Sequence, residues 1–173
     1  MAGGTSMRID HLAFPSFDVS ATHAFYAGVM GFRLASAHEG VSDEWGGRRY
    51  MMSTYAVGRN EITFFALEGI RRPKGDGLPA DIRHVALAVA SVRKVEAWKK
   101  RLDRHGVAWN EEIHDGVPSI YFSDPNGVML EITWRVPGGV DERAEAAARR
   151  IVGRWANSTP RSSGRRAPSR AKR

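Results

Sequence analysis

The stretch from His114 to Thr133, "HDGVPSIYFSDPNGVMLEIT", brings together a histidine, a tyrosine and a glutamate. These side chains can transfer protons, and imidazole and carboxylate groups also bind metal ions. Glu131 stands inside an apolar run, where an unpaired carboxylate is costly to bury. Either Glu131 faces solvent by strand alternation, or a positive partner lies inside. The residue types alone leave both interpretations open.

The composition excludes several other kinds of chemistry. The chain of 173 residues has no cysteine, which removes disulfides, thiolate metal sites and a cysteine nucleophile. No phosphate-binding loop, pair of glycosidase-like carboxylates or serine triad stands out. No apolar run is long enough for a signal peptide or a membrane span, so we predict a cytoplasmic protein without membrane contact.

The net charge of +7 is unevenly distributed. Residues 1–136 contain 16 basic and 16 acidic residues, whereas residues 137–173 contain 10 basic and 3 acidic ones. We predict a flexible N-terminus over 1–6, a C-terminal helix over 137–156 and a disordered basic tail over 157–173. Such a tail favours weak, sequence-independent contact with a polyanion. A solubilising extension without a partner is the simpler interpretation.

The hydrophobic pattern predicts the same order of elements twice. A strand at "DHLAF" precedes a helix at "ATHAFYAGVM" and strands at "FRLASAH", "RRYMMSTYAV" and "NEITFFAL". A strand at "RHVAL" likewise precedes a helix after Ser91 and strands at "VAWNEEIH", "PSIYFSD" and "VMLEITW". The repeat predicts an α+β domain over 7–136, with modules at about 7–68 and 81–136. The segment "EGVSDEWGG" between two of the strands is predicted to be a loop.

This repeat resembles the vicinal oxygen chelate superfamily of glyoxalases, bleomycin- and fosfomycin-resistance proteins and extradiol dioxygenases. The resemblance rests on "DHLAF", "FYAGVMGF", "RHVALAV" and "YFSDPNGVMLEIT". It implies paired βαβββ modules, whose mixed, mostly antiparallel sheet surrounds a metal cleft. Carried over by position, His11, His84 and Glu131 would be the protein ligands of a divalent metal. The ion would then be the positive partner of Glu131.

The fourth ligand position of that superfamily is ambiguous here. Matching "NEIT" to "LEIT" makes Glu61 the counterpart of Glu131. Matching the turn "VGRN" to "DPNG" makes Phe64 the counterpart instead. We prefer the match of the turns, which leaves three protein ligands, whereas a fourth ligand at Glu61 would indicate glyoxalase-like chemistry.

The order of His114, Tyr121, an Asp-Pro turn and Glu131 resembles the signature of extradiol dioxygenases. In that group the histidine and tyrosine stabilise oxygens beside the metal, so both are predicted to be catalytic. The alternatives are a packed strand aromatic for Tyr121 and an exposed residue at a strand end for His114. Glu112, two positions before His114, departs from the family's pattern. The resemblance implies a ring-cleaving dioxygenase with Fe(II) or Mn(II), acting on a small oxygen-bearing substrate such as an aromatic diol.

Two alternatives stay open at this point. A glyoxalase-type lyase would use Zn(II) or Ni(II), with Glu61 as the base. A metal-free protein of the bleomycin-resistance type would bind and sequester a small antibiotic. A homodimer is expected from the resemblance alone.

Simpler roles are predicted for the remaining polar and aromatic residues. Asp124 is predicted to stabilise its own turn through hydrogen bonds to the backbone. Packing in the core is predicted, in preference to a position lining the cleft, for Trp45, Tyr50, Met51, Met52 and Phe65.

Overall fold

The computed structural model describes residues 7–75, 77–114, 116–134 and 142–158. The chain divides into two compact units, residues 1–135 and residues 136–173. The predicted N-terminal segment 1–6 and residues 159–173 of the predicted tail lie outside the described residues.

The second unit contains the helix α3, from Glu142 to Ser158. Its apolar side chains Ile151, Val152 and Trp155 are exposed. Among the described residues of the whole chain, no helix is long and apolar enough to cross a membrane.

The first module folds into one helix and a four-stranded sheet. Its elements are β1 His11–Pro15, α1 Val19–His23 with a π-helical continuation Ala24–Val29, β2 Arg33–Ser42, β3 Arg48–Val57 and β4 Asn60–Leu67. The strand order is β1-β4-β3-β2, in which only the β1–β4 pair is parallel. Asp18 caps α1, because its carboxylate accepts a hydrogen bond from the Ala21 N–H at 2.9 Å.

The second module repeats this arrangement. Its elements are β5 His84–Ala88, α2 Val92–Arg104, β6 Asn110–His114, β7 Val117–Ser123 and β8 Met129–Thr133. The strand order is β5-β8-β7-β6, again with one parallel pair, β5–β8. The predicted repeat of βαβββ modules is therefore confirmed. In the described residues the modules form two separate sheets, and no strand of one sheet pairs with the other.

The hairpin between β2 and β3 is longer than the sequence predicted. Residues 39–42, predicted to lie in a loop, continue β2 because they pair with residues 48–51 of β3. The chain then turns through a 3-10 turn at Asp43–Trp45. Gly46 and Gly47 follow with φ angles of 73° and 71°, which allow this tight reversal. Trp45 therefore lies at the tip of a long hairpin.

Each sheet buries one face against helices and leaves the other face open. Tyr26 of the π-helical segment packs on Phe64 of β4, with ring centroids 4.5 Å apart, and both side chains are fully buried. In the second module α2 packs on β7 and β8, and Val95 and Leu130 are fully buried. Because side chains alternate along a strand, the residues between these core positions lie on the opposite, open face.

A buried polar cluster joins the two modules. The Asp124 carboxylate accepts hydrogen bonds from the backbone N–H groups of Asn126 and Val128 at 2.8 and 2.7 Å, which confirms its predicted role in the turn. It also accepts a hydrogen bond from the Tyr26 hydroxyl at 3.1 Å. Burial, together with the adjacent charge of Asp124, raises the pKa of Tyr26 well above its usual value, so the hydroxyl remains a donor. The cluster positions the turn that leads into β8 and Glu131.

We expect Asp124→Ala to lower the free energy of unfolding by about 3 kcal/mol or more, because several buried donors lose their acceptor together. Tyr26→Phe removes one of these hydrogen bonds and is expected to cost about 1 kcal/mol. Urea unfolding followed by circular dichroism measures both values. A native-like stability of the Asp124→Ala variant would contradict this account.

Candidate functional site

His84 and Glu131 meet on the open face of the second sheet. Nε2 of His84 lies 3.0 Å from Oε2 of Glu131, and only 7% of the Glu131 surface is exposed. Nδ1 of His84 donates a hydrogen bond to the backbone carbonyl of Asp81 at 2.6 Å. A carbonyl can only accept, so Nδ1 carries the ring proton. Nε2, the other ring nitrogen, faces the carboxylate and presents a lone pair to it wherever it carries no proton.

The chemistry and spacing of this pair fit two positions on a divalent cation. A lone pair and a carboxylate oxygen 3.0 Å apart repel each other unless a positive charge lies between them. A proton on Nε2 or a metal ion would supply that charge. Two donor atoms that each lie about 2.1 Å from an ion, at right angles to one another, are about 3.0 Å apart. His84 and Glu131 therefore suit neighbouring ligand positions.

Tyr121 lies directly across from Glu131 in the β7–β8 pair. Burial, followed by the charge of Glu131 and a hydrogen bond to it, raises the pKa of Tyr121 to about 12. The phenol is therefore protonated at physiological pH and donates to the carboxylate. Its ring is perpendicular to the His84 imidazole, with centroids 5.6 Å apart. Tyr121 thus contacts both residues of the pair.

His114 approaches the Tyr121 hydroxyl at the end of β6. Nε2 of His114 lies 3.2 Å from the Tyr121 oxygen and 3.1 Å from Oε2 of Glu112. Because the single Tyr121 proton goes to Glu131, an N–H at His114 Nε2 is the donor available here, and the Tyr121 oxygen shares it with the Glu112 carboxylate. The side chains form a continuous polar row from buried Glu131 to exposed Glu112. Glu112, which departs from the dioxygenase signature, is thus a direct partner of the predicted catalytic histidine.

His11 has the matching position in the first module but does not join this row. It is the first residue of β1, as His84 is of β5. Its Nδ1 lies 3.1 Å from Oδ2 of Asp10, and 54% of its side chain is exposed. Over the described ranges, no group of three or more His, Asp or Glu side chains is placed to hold a metal ion. The metal roles of His11, His84, Glu131 and Glu61 therefore stay predictions.

The strand register decides which residue corresponds to Glu131 in the first module. Glu131 pairs with Ala86, two positions after His84. In the first sheet the residue two positions after His11 is Ala13, which pairs with Thr63. Thr63 is therefore the counterpart of Glu131, and the predicted matches of Glu131 to Glu61 or to Phe64 are both wrong. Glu61 pairs with His11 itself, so it corresponds to Met129.

The counterpart of Tyr121 is also a threonine. Tyr121 faces Glu131 across β7 and β8, and Thr54 faces Thr63 across β3 and β4. The two threonine hydroxyls are buried and lie 3.0 Å apart. The first module therefore has a neutral pair at the position where the second module has its carboxylate and phenol.

Aromatic side chains on the open face of the first sheet border cavities, contrary to the predicted role in the core. Trp45 is 40% exposed, and together with Phe65 it lines a cavity beside β1. These two residues, with Tyr50 and Met52, also border a second cavity, whose other lining residues include the charged Glu39, Asp43 and Glu44. The sequence pattern did not distinguish these positions from core, because both faces of β3 and β4 carry apolar residues.

Comparison with known proteins agrees with this fold. The profile of the Glyoxalase/Bleomycin resistance protein/Dioxygenase superfamily matches residues 8–132. "Putative ring-cleaving dioxygenase MhqO" of Bacillus subtilis (strain 168) is 31% identical over 66% of this chain, which spans 36% of that protein. "Uncharacterized protein YaeR" of Escherichia coli (strain K12) is 28% identical over 72% of this chain and 94% of its own length.

A solved structure extends the likeness. The glyoxalase family protein from Enterococcus faecalis is 26% identical, with a TM-score of 0.54 over 73% of this chain and 96% of its own chain. The profile match covers both βαβββ modules and includes His11, His84, Tyr121 and Glu131. The chain therefore belongs to the Glyoxalase/Bleomycin resistance protein/Dioxygenase superfamily.

Proposed function

We propose that this protein is a divalent-metal-dependent enzyme of the ring-cleaving dioxygenase type, acting on a small aromatic diol. The observation that carries the proposal is the approach of His84 Nε2 to Glu131 Oε2 at 3.0 Å. Metal-binding histidines usually donate their second N–H to a carbonyl or carboxylate. His84 does so to Asp81, and Nδ1 of His11 has the Asp10 carboxylate as its partner.

The number of ligands favours a dioxygenase over a glyoxalase. Since Thr63 holds the position that corresponds to Glu131, the first module contributes His11 alone to the proposed site. Two histidines and one carboxylate on one face of an ion form the arrangement of non-haem Fe(II) oxygenases, with positions left for substrate and dioxygen. The bound ion, Fe(II) or Mn(II), would polarise the diol oxygens.

The proposed site needs a second copy of the chain to bring His11 to His84. β1 and β5 are edge strands, and in the described residues neither pairs with a strand beyond its own sheet. Unpaired edges of this kind are templates for another strand. If β1 of one chain approaches β5 of another, two-fold symmetry creates two equivalent junctions and closes the dimer. Each junction would combine His11 of one subunit with His84 and Glu131 of the other.

The row of side chains beside this site supplies the other chemical roles. The Tyr121 phenol stays protonated and orients the Glu131 carboxylate by donating to it. His114, with an N–H directed at the Tyr121 oxygen, can exchange a proton with solvent because it is exposed. Tyr121 and His114 would therefore stabilise developing charge on substrate oxygens and deliver protons to them.

Metal analysis of single variants tests the ligand assignment. We expect His11→Ala, His84→Ala and Glu131→Ala each to abolish stoichiometric metal binding while the fold persists, since each removes one of three donors. Glu61→Ala, the matched control on β4, is expected to keep its metal, because Glu61 is not the counterpart of Glu131. Elemental analysis of anaerobically purified protein gives the metal content. Full metal in all three ligand variants would contradict the assignment, and loss in Glu61→Ala would favour a glyoxalase-type site.

Oxygen uptake with a panel of catechols tests the reaction. Turnover of at least one catechol by the iron-loaded protein is expected. Metal binding without oxygen uptake on any catechol would contradict the dioxygenase, and absence of both would favour a protein that only binds a small molecule.

A further inference from the structure

A cavity that is open to solvent on one side lies beside β1, at the edge of the first sheet, and its lining residues are all apolar. Its volume is about 240 Å³, and its walls are formed by Phe14, Pro15, Trp45, Phe65, Leu67 and Ile70, with Ala13. A dry cavity of about 150 Å³ holds a benzene molecule. The cavity here is thus large enough for one substituted ring. A charged group would find no polar side chain among these lining residues to pair with.

Trp45 forms one side of this cavity, and two neighbouring aromatic rings hold it in place. Its indole is perpendicular to the Tyr50 ring, with centroids 5.4 Å apart, and perpendicular to the Phe65 ring at 6.0 Å. Edge-to-face contacts of this kind stabilise a particular ring orientation. Although Trp45 is held at two sides, 40% of its surface is exposed. The indole therefore has surface left over for a further aromatic partner.

Two of the residues that line the cavity lie on the same strand face as the predicted ligand His11. Ala13 and Pro15 follow His11 by two and four residues along β1, so their side chains lie on its face of the sheet. At about 3.3 Å per residue, Ala13 is roughly 7 Å from His11 along the strand. A ring in the cavity could thus direct a polar substituent along β1 toward His11.

We infer that this cavity, with Trp45 as its selective wall, binds the apolar part of an uncharged aromatic ligand. The open face of the second sheet carries the polar row of His84, Glu131, Tyr121 and His114, whereas in the first sheet Thr63 and Thr54 stand at the positions of Glu131 and Tyr121. In this arrangement the first module binds the aromatic ring, and the polar row of the second module contacts the ring's oxygen substituents. The ligand's role as substrate rests on the proposed function, but its binding to the cavity does not.

Fluorine NMR on metal-free protein tests the binding without any turnover. We expect para-fluorotoluene to bind saturably to the native chain, and para-fluorobenzoate, of similar size but charged, to bind at least about tenfold more weakly. Trp45→Ala should weaken fluorotoluene binding by about tenfold, and Trp45→Phe should restore part of it. Trp155→Ala, which removes an exposed tryptophan from α3 in the other unit, is the matched control and should bind normally.

Three results would overturn the inference. They are absence of fluorotoluene binding to the native chain, equal binding by the native and Trp45→Ala chains, and equal binding of the charged and uncharged rings. A change of oligomeric state in Trp45→Ala, seen by analytical ultracentrifugation, would assign the cavity to a contact between copies instead. Because the assay contains no metal and no oxygen, an inactive enzyme leaves the inference intact, and failure of ring binding leaves the metal assignment intact.

Discussion

Chains that carry His11→Ala and chains that carry Glu131→Ala are expected to recover metal when they form a heterodimer, although each variant alone binds none. In the proposed dimer, each site takes His11 from one subunit and His84 with Glu131 from the other. A heterodimer of these variants has one site with both substitutions and one site with none. The intact site should bind metal normally, so the heterodimer should hold about half the metal of the native dimer.

This experiment uses two affinity tags, so that only heterodimers are purified before elemental analysis. The matched control combines His84→Ala with Glu131→Ala. Both of these positions belong to the same half of the site, so every site in that heterodimer is damaged and no recovery is expected. Recovery of metal binding in the control as well as in the test pair would contradict the assignment of His84 and Glu131 to the same subunit's part of the site. Absence of recovery in the test pair would show that His11 does not complete a partner's site.

Tyr121→Phe and His114→Ala are expected to reduce turnover much more than metal content. Neither side chain is a proposed ligand, but Tyr121 donates to Glu131, and His114 approaches the Tyr121 hydroxyl at 3.2 Å. Loss of a positioned proton donor typically lowers a rate by roughly 10²-fold or more. Metal content should fall far less, since His84 and Glu131 keep their 3.0 Å approach. Initial rates of oxygen uptake, divided by the metal content of each preparation, measure the effect.

A threonine of the first module provides the control for these variants. Thr54 is the counterpart of Tyr121 but faces Thr63 instead of a carboxylate. Thr54→Val therefore has a similar place in its sheet without the proposed chemical role, and its rate per metal ion should stay close to that of the native enzyme. Native rates in both Tyr121→Phe and His114→Ala would return these residues to a structural role.

Much of the architecture follows from local sequence patterns. The order of a strand, a helix and three strands occurs twice with similar spacing, so the repeat of βαβββ modules was predictable. The same patterns located His84, Tyr121 and Glu131 on strands of one module. The resemblance placed all three beside one metal site, and the structure brings these three side chains into contact.

Contacts between strands required the tertiary structure. A shift of one residue in register moves a side chain to the other face, and sequence matching of short motifs cannot resolve such a shift. This is why Thr63, and neither Glu61 nor Phe64, emerged as the counterpart of Glu131 only from the pairing of β1 with β4. The exposure of Trp45 likewise depends on how far the β2–β3 hairpin extends, because Glu39 to Ser42 pair with β3 beyond the predicted strand.

The positions of His11 and His84 show most clearly what local sequence patterns determine and what requires the tertiary structure. Both histidines begin the first strand of a module, and their local patterns predicted equivalent positions. Whether equivalent positions meet depends on which sheet edges pair, and that is set by packing over the whole domain. Within the described residues, β1 and β5 belong to different sheets. Local alternation selects the face of a strand, but only long-range packing selects its neighbour, because the backbone groups at a sheet edge can pair with any strand that approaches them.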